Sequence, residues 1–311
     1  MINTHLQHLP HGITLSCRTA GDDRKKGRPV LMFLHGFPEG AFVWDSLMLH
    51  FAKPENGGFR CIAPNLRGYE RSSAPADVAA YRPKHLVQDI AALIEIESDA
   101  RAGSQIDCLV AHDWGGAVAW NLAAARPGLI KNLAIINAPH PGTFLRELQH
   151  SPAQQAASSY MNFLIRPDAE ALLATDDSRR LWAFFTAIGA AGDGQTWLTD
   201  ALKSQYRALW RHGLNGPLNY YRASPLRPPR PGPPHNDAAA AAITIPREML
   251  EVKLRTLVIW GMGDIALPPA LLDGLSDYVP QLKLIRVAGA THWIVHEQPA
   301  LVAAHLQAFL G

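Results

Sequence analysis

Charged residues are scarce in this chain of 311, where Asp, Glu, Lys and Arg together reach only 18%, against a globular average of about 25%. With 48% hydrophobic residues, that figure excludes a disordered or highly charged scaffold. The two signs nearly cancel, with 29 Lys and Arg against 27 Asp and Glu for a net +2. No global field therefore draws the chain to nucleic acid or to an anionic membrane. Cysteine is rare as well. Cys17, Cys61 and Cys108 are odd in number and far apart, which argues against a disulfide framework and fits reduced core thiols in a reducing compartment. No stretch approaches the ~18 apolar residues of a membrane span, and the first residues lack a basic segment followed by an apolar one. The expectation is a cytoplasmic protein acting on a small uncharged partner, with a homodimer left open.

Against these absences stands a recurring pattern of short apolar runs. Val30–Leu34, Ile106–Val110, Leu133–Ile136, Leu257–Trp260 and Leu282–Val287 have strand length, are rich in β-branched residues or bounded by Gly and Pro, and read as strands buried on both faces. Helical patterns lie between them, among them His85–Glu97 and Ala117–Ala125, and a last one begins near Pro299. Strand and helix alternate, which predicts an α/β protein with a mostly parallel sheet. The alternation stops between about Pro141 and Arg247. There Gln154–Leu164, Ala169–Leu173, Leu181–Ala187 and Thr199–Leu209 are helical in pattern and no buried strand stands out. The expected organisation is a core of residues 1–140 and 247–311 with a helical cap at 141–246. The cap ends in the proline-rich stretch Ser224–Pro234, whose locked φ angles suit a stiff return linker. A PxxP ligand for another domain is the competing reading of that stretch.

The most specific local signal runs from Leu109 to Val118, LVAHDWGGAV, and passes from a strand pattern directly into a helix pattern. It has the form of a nucleophile elbow, small-x-nucleophile-x-small. The central residue, Asp113, sits on a strained turn, and Ala111, Gly115 and Gly116 must be small for strand and helix to pack closely. The following helix N-terminus favours a carboxylate over its acid. Asp264 follows the run ending at Trp260, and His292 follows the run ending at Val287. Taken singly, Asp113 reads as an N-cap, Asp264 as a turn residue and His292 as a cap. Together they give nucleophile, acid and histidine in the order of an α/β-hydrolase triad. After the first strong strand, Leu34–Glu39 (LHGFPE) supplies a loop in which the N–H of Phe37, with that of Trp114, can face a developing oxyanion. Glu39 and His35 read as supports of that loop, and His112 and His140 as structural. His296 stands four residues after His292 and raises a two-imidazole metal site, but no third ligand cluster accompanies it.

On these residues the chain resembles the α/β-hydrolase superfamily over nearly its whole length, and within it the epoxide hydrolases and the related haloalkane and haloacetate dehalogenases, which carry Asp at the elbow. The fold implied is a mostly parallel sheet flanked by helices with an inserted cap. A carboxylate attacking an sp³ carbon leaves an ester that a histidine and a water can hydrolyse, whereas a serine would leave an ether. The segment Tyr160–Pro167 resembles the first cap-tyrosine segment of soluble epoxide hydrolases, and Asn219-Tyr-Tyr-Arg222 resembles their second. The resemblance thus implies Tyr160 and Tyr221 as acids for an epoxide oxygen, with Tyr220 facing elsewhere. Many haloalkane dehalogenases have Asn where this chain has Phe37. Fluoroacetate dehalogenases have Arg at the positions of Trp114 and Ala117. The implied activity is conversion of a small apolar epoxide and water to a vicinal diol through an aspartyl ester, with no cofactor and no metal. A dehalogenase is the alternative, an ester or lactone hydrolase the third, and a non-enzymatic relative of the fold the last. Met161, Phe163, Trp182, Phe185 and Trp197 are candidates to line the pocket or to fill the core.

Overall fold

A computed structural model describes residues 1–21, 27–98, 105–186, 197–230 and 239–311. In these residues eight strands form one sheet: β1 (Asn3–His8), β2 (Thr14–Ala20), β3 (Val30–Leu34), β4 (Arg60–Pro64), β5 (Ile106–His112), β6 (Ile130–Ile136), β7 (Arg255–Gly261) and β8 (Leu282–Val287). Their spatial order is β1-β2-β4-β3-β5-β6-β7-β8. Strands β3 to β8 pair in parallel, while β2 runs antiparallel to both β1 and β4. The α-helices are α1 (Asp45–Phe51), α2 (Pro83–Glu97), α3 (Asp113–Ala125), α4 (Pro141–His150), α5 (Pro152–Ala157), α6 (Tyr160–Leu164), α7 (Ala169–Phe185), α8 (Asp200–Trp210), α9 (Asn215–Ala223), α10 (Ile294–Glu297) and α11 (Pro299–Leu310).

The central strands are apolar on both faces because both are covered. In β3, Leu31 and Phe33 join one core with Leu47 and Phe51 of α1 and Val302 and Leu306 of α11. Met32 and Leu34 point the other way, to Leu86 and Ile90 of α2 and Val118 and Trp120 of α3. That alternation is the period of two of a strand, and each fully buried Leu or Ile contributes about 1.5–3 kcal/mol. Cys17, Cys61 and Cys108 are free and buried in β2, β4 and β5. Burial pushes the thiols of Cys17 and Cys61 up to about 12 and that of Cys108 further still, so they act as small core fillers.

Three strands, β1, β2 and β4, escape the sequence pattern. Every residue of β1 is exposed or only half-buried, as expected of an edge, and β4 is five residues long and ends in Pro64. Between β6 and β7 the described residues form helices and loops and no strand. The predicted segment 154–164 is two helices, α5 and α6, and α7 is interrupted where Asp176, Asp177 and Ser178 take positive φ. Thr199 caps α8, accepting from the Leu202 N–H at 3.2 Å. Residue 187, and positions 231–234 of the proline-rich return, lie outside the described residues. No helix among the described residues is long and apolar enough to cross a membrane.

Of the helices between β6 and β7, α9 packs on the loop after β4 at a point with no room for side chains. Gly68, at φ +88°, lies against Gly216 at the start of α9, and a Cβ built on either would fall 2.5–2.9 Å from the other's backbone. Beside it the buried pair Arg67–Asp89, with N–O distances of 2.7 and 2.6 Å, fixes the loop after β4, and the Tyr220 hydroxyl donates to the Arg67 carbonyl at 2.9 Å.

Candidate active site

The parallel register brings the carboxyl ends of β3, β5, β6, β7 and β8 to one edge, where ligands of such sheets bind. Leu34 pairs with Ala111, Ile136 with Ile259, and Gly261 with Val287. The loops after these strands therefore converge. Asp113 follows β5 at once, with φ 49°, a left-handed conformation that costs a side-chain-bearing residue about 1–3 kcal/mol and is held by its surroundings. Glycine clears the space around it. A Cβ on Gly36 would lie 2.3 Å from the Asp113 side chain, one on Gly115 2.5 Å from the Leu34 carbonyl, and one on Gly116 2.1 Å from Ala138 Cβ.

The two oxygens of Asp113 face different partners. Oδ1 accepts the Phe37 N–H at 2.7 Å, and Oδ2 stands 3.7 Å from Nε2 of His292. His292 Nδ1 donates to Asp264 Oδ2 at 2.7 Å. Asp264 is itself saturated: Oδ1 accepts from the N–H groups of Ala266 and Leu267 at 3.0 and 2.9 Å, and Oδ2 also accepts from Asn137 Nδ2 at 2.8 Å. Asn137 went unnoticed in the sequence. It directly follows β6, at φ 39°, and its Oδ1 accepts the Gly261 N–H at 2.8 Å, tying the ends of β6 and β7 together. A polar residue ending an apolar strand at the same edge as Asp113 was the available signal. Burial opposes charge on His292, but the carboxylate of Asp264, its hydrogen bond, and the charges of Asp113 and Glu39 outweigh it and raise the imidazole to about 9. Trp114 is the second residue of α3, in the first turn, where the N–H groups have no carbonyl partner within the helix.

Tyr160 begins α6 and Tyr221 lies in α9, and their rings meet edge-on at 6.2 Å between centroids. Tyr221 also packs edge-on against Trp114 at 5.0 Å and Phe37 at 5.3 Å, so the phenol pair faces the elbow. Burial and the negative charge of Asp113 raise both phenols well above 10. A hydrogen bond with Tyr221 works against this at Tyr160, and one with Trp114 does so at Tyr221. Tyr220 turns away to Arg67. Of the aromatic candidates, Trp182, Phe185 and Trp197 pack among Tyr206, Trp210, Trp293 and His296. Phe184, passed over in the sequence, is the one whose ring meets Tyr160 and Phe37, both at 5.7 Å.

Behind the site lies a second buried carboxylate, Glu39. It accepts from His296 Nε2 at 2.6 Å and from the Tyr206 hydroxyl at 2.8 Å, and it lies 3.2 Å from His112 Nδ1. Burial disfavours its charge, but His296 and His112 hold its carboxyl well below the usual range. His112 Nε2 donates to the backbone carbonyl of His292 at 2.9 Å, so this cluster braces the loop that carries the site imidazole. His292 and His296 thus diverge to different carboxylates rather than converging. Among the described residues no group of three or more His, Cys, Asp or Glu is placed to hold a metal. His140 caps α4 through the Gly142 N–H and donates to the Leu250 carbonyl.

The family described as alpha/beta hydrolase fold matches residues 29–299. The AB hydrolase superfamily protein YfhM of Bacillus subtilis (strain 168) is 36% identical over 296 residues, 94% of this chain and 92% of that protein. Epoxide hydrolase 2 of Caenorhabditis elegans is 30% identical over 289 residues, 91% of this chain and 74% of that protein. Among solved structures, an epoxide hydrolase from metagenomes of hot environments superposes with a TM-score of 0.81 at 34% identity, covering 100% of this chain and 99% of its own. The chain belongs to the α/β-hydrolase fold family, in the group that contains the epoxide hydrolases.

Proposed function

We propose that this chain hydrolyses a small apolar epoxide to a vicinal diol through an ester on Asp113, with residues 141–246 acting as a cap over a core of 1–140 and 247–311. The observation that carries the reading is the pairing of a carboxylate at the elbow with two phenols facing it, beside relatives named as epoxide hydrolases. Asp113 Oδ2 attacks one ring carbon, the carbon–oxygen bond of the epoxide breaks, and Tyr160 and Tyr221 hydrogen-bond the departing oxygen and deliver its proton. Phenols held well above 10 stay protonated in the resting site and still yield a proton to an alkoxide, a far stronger base.

Esterification also removes the charge of Asp113, one of the carboxylates that keep His292 protonated. The first step therefore lowers the pKa of His292, which gives its proton to the phenolate left by that step, restoring the phenol and freeing Nε2 to act as the base of the second. His292, oriented by Asp264, takes a proton from water, the water oxygen bonds to Cγ of Asp113, and negative charge develops on the oxygen that faces the Phe37 N–H. The Cγ–Oδ2 bond then breaks, the diol leaves with the proton returned by His292, and the Asp113 carboxylic acid gives its own proton back to His292, which restores the resting site.

A single turnover of excess enzyme with styrene oxide in H₂¹⁸O tests this. The heavy oxygen is expected in the peptide containing Asp113 and not in the first diol. Heavy oxygen in the first diol would mean direct attack by water. Halide release from a haloalkane, with no diol from epoxides, would transfer the same residues to the dehalogenase reading.

A further inference from the structure

Two side chains of one inserted helix hold the loop that presents the Phe37 N–H. Tyr206 and Trp210 stand one turn apart on α8, on the same face. The Trp210 indole donates to the Pro38 carbonyl at 2.7 Å, and the Tyr206 hydroxyl donates to Glu39 Oε1 at 2.8 Å. Both residues are buried, and the loop residues they grip are the two that directly follow Phe37. From the core side the same loop is held by the Glu39 N–H on the Gly36 carbonyl at 3.1 Å, by the Phe37 N–H on Asp113 and by His296 on the Glu39 carboxylate at 2.6 Å, while the Pro38 carbonyl next to Phe37 is held from α8. We propose that α8 sets the position of the oxyanion donor, with Tyr206 and Trp210 as positioning residues for the ester-hydrolysis half of the reaction.

The selectivity follows from where charge moves. During attack on the epoxide Asp113 gives up charge, so a firm N–H on Oδ1 stabilises the reactant more than the transition state. During ester hydrolysis charge arrives on that oxygen, and the N–H must be in place to meet it. Loosening the loop should therefore spare ester formation and slow ester breakdown. The inference rests on the proposed ester route, and the experiment separates the two.

Single-turnover mixing of Tyr206→Phe and Trp210→Phe with styrene oxide, followed by intact mass of the quenched protein, reads formation and decay of the ester separately. Removing an oxyanion donor outright costs about 10²–10³-fold; displacing one is expected to slow decay about tenfold, with formation within twofold of the parent. In steady state, once decay limits turnover, kcat and KM then fall together while kcat/KM holds. Tyr220→Phe removes a comparable phenol hydrogen bond from inserted helix to core and is expected to lower Tm without that split. Trp210→Phe leaves the Glu39 cluster intact, so it decides the matter if Tyr206→Phe fails to fold. Unchanged decay in Trp210→Phe would overturn the proposal, as would an equal loss in both halves. A displaced pH profile of decay in Trp210→Phe would also overturn it, because the effect would then run through His292. Absence of any ester in the parent would instead sink the ester route itself.

Discussion

His292 and His296 are four residues apart, each hydrogen-bonded to a fully buried carboxylate, and they differ in which nitrogen the carboxylate takes. Asp264 holds Nδ1 of His292 and leaves Nε2 turned to Asp113, whereas Glu39 takes Nε2 of His296, and the ring of His296 stacks on Trp197 at 4.4 Å. The same two functional groups leave a ring nitrogen turned to a third carboxylate in one case and make a closed brace in the other. Chemistry depends on what the second face of the imidazole meets, a fact that residue types and spacing do not encode.

The strongest way to break the comparison is to remove what His292 faces. Asp113→Asn keeps a residue that tolerates positive φ and is expected to lower diol formation at least about 10⁴-fold, as loss of a covalent nucleophile does. A variant retaining more than a hundredth of the activity would show that Asp113 is not the nucleophile. Next, His292→Gln and His296→Gln should separate cleanly. The first is expected to fall about 10³-fold or more and to accumulate a protein adduct of substrate mass, while the second stays within about fivefold because Gln keeps a donor for Glu39. Equal losses would erase the distinction between the pairs.

Tyr160→Phe and Tyr221→Phe probe the opposite side of Asp113 and should each lower the rate of ester formation about 10²-fold, with ester decay unchanged in single-turnover traces. The smallest effect is thermodynamic. His292 rises from 6.5 to about 9 on folding, so its contribution is complete below pH 6.5 and is lost as pH climbs through 9. At about 1.4 kcal/mol per pH unit, this amounts to about 3 kcal/mol. Urea unfolding between pH 6 and 10 should show that extra loss in the parent and in His296→Gln, and not in His292→Gln.

Much of this was legible because the central strands are buried on both faces and so leave continuous apolar runs: β3 matches its run end to end, and β5, β6 and β7 extend theirs by a few residues. β8 also spans its run, but it is the far edge of the sheet with Lys283 and Arg286 exposed, so the expectation that it is buried on both faces does not hold. Edge strand β1 buries little and carries Leu6 on an open face, so no run marks it. Asp113, Asp264 and His292 were readable because each follows such a run, with glycine where a side chain would collide. Asn137, Phe184 and Tyr206 were not. Their partners lie 127, 147 and 167 residues away in the chain, and only the docking of the inserted helices and the pairing of β6 with β7 brings them into range.

The contact between Gly68 and Gly216 bears on how the chain tolerates change. With backbone against backbone, a single methyl group at either position acts as a wedge between α9 and the loop after β4. Five residues along α9 that wedge reaches Tyr221, so the smallest of substitutions, far from the nucleophile in sequence, would retune the distance between phenol and carboxylate. Random variation of this chain should find Gly68 and Gly216 nearly as intolerant as the reacting residues, for reasons of clearance alone.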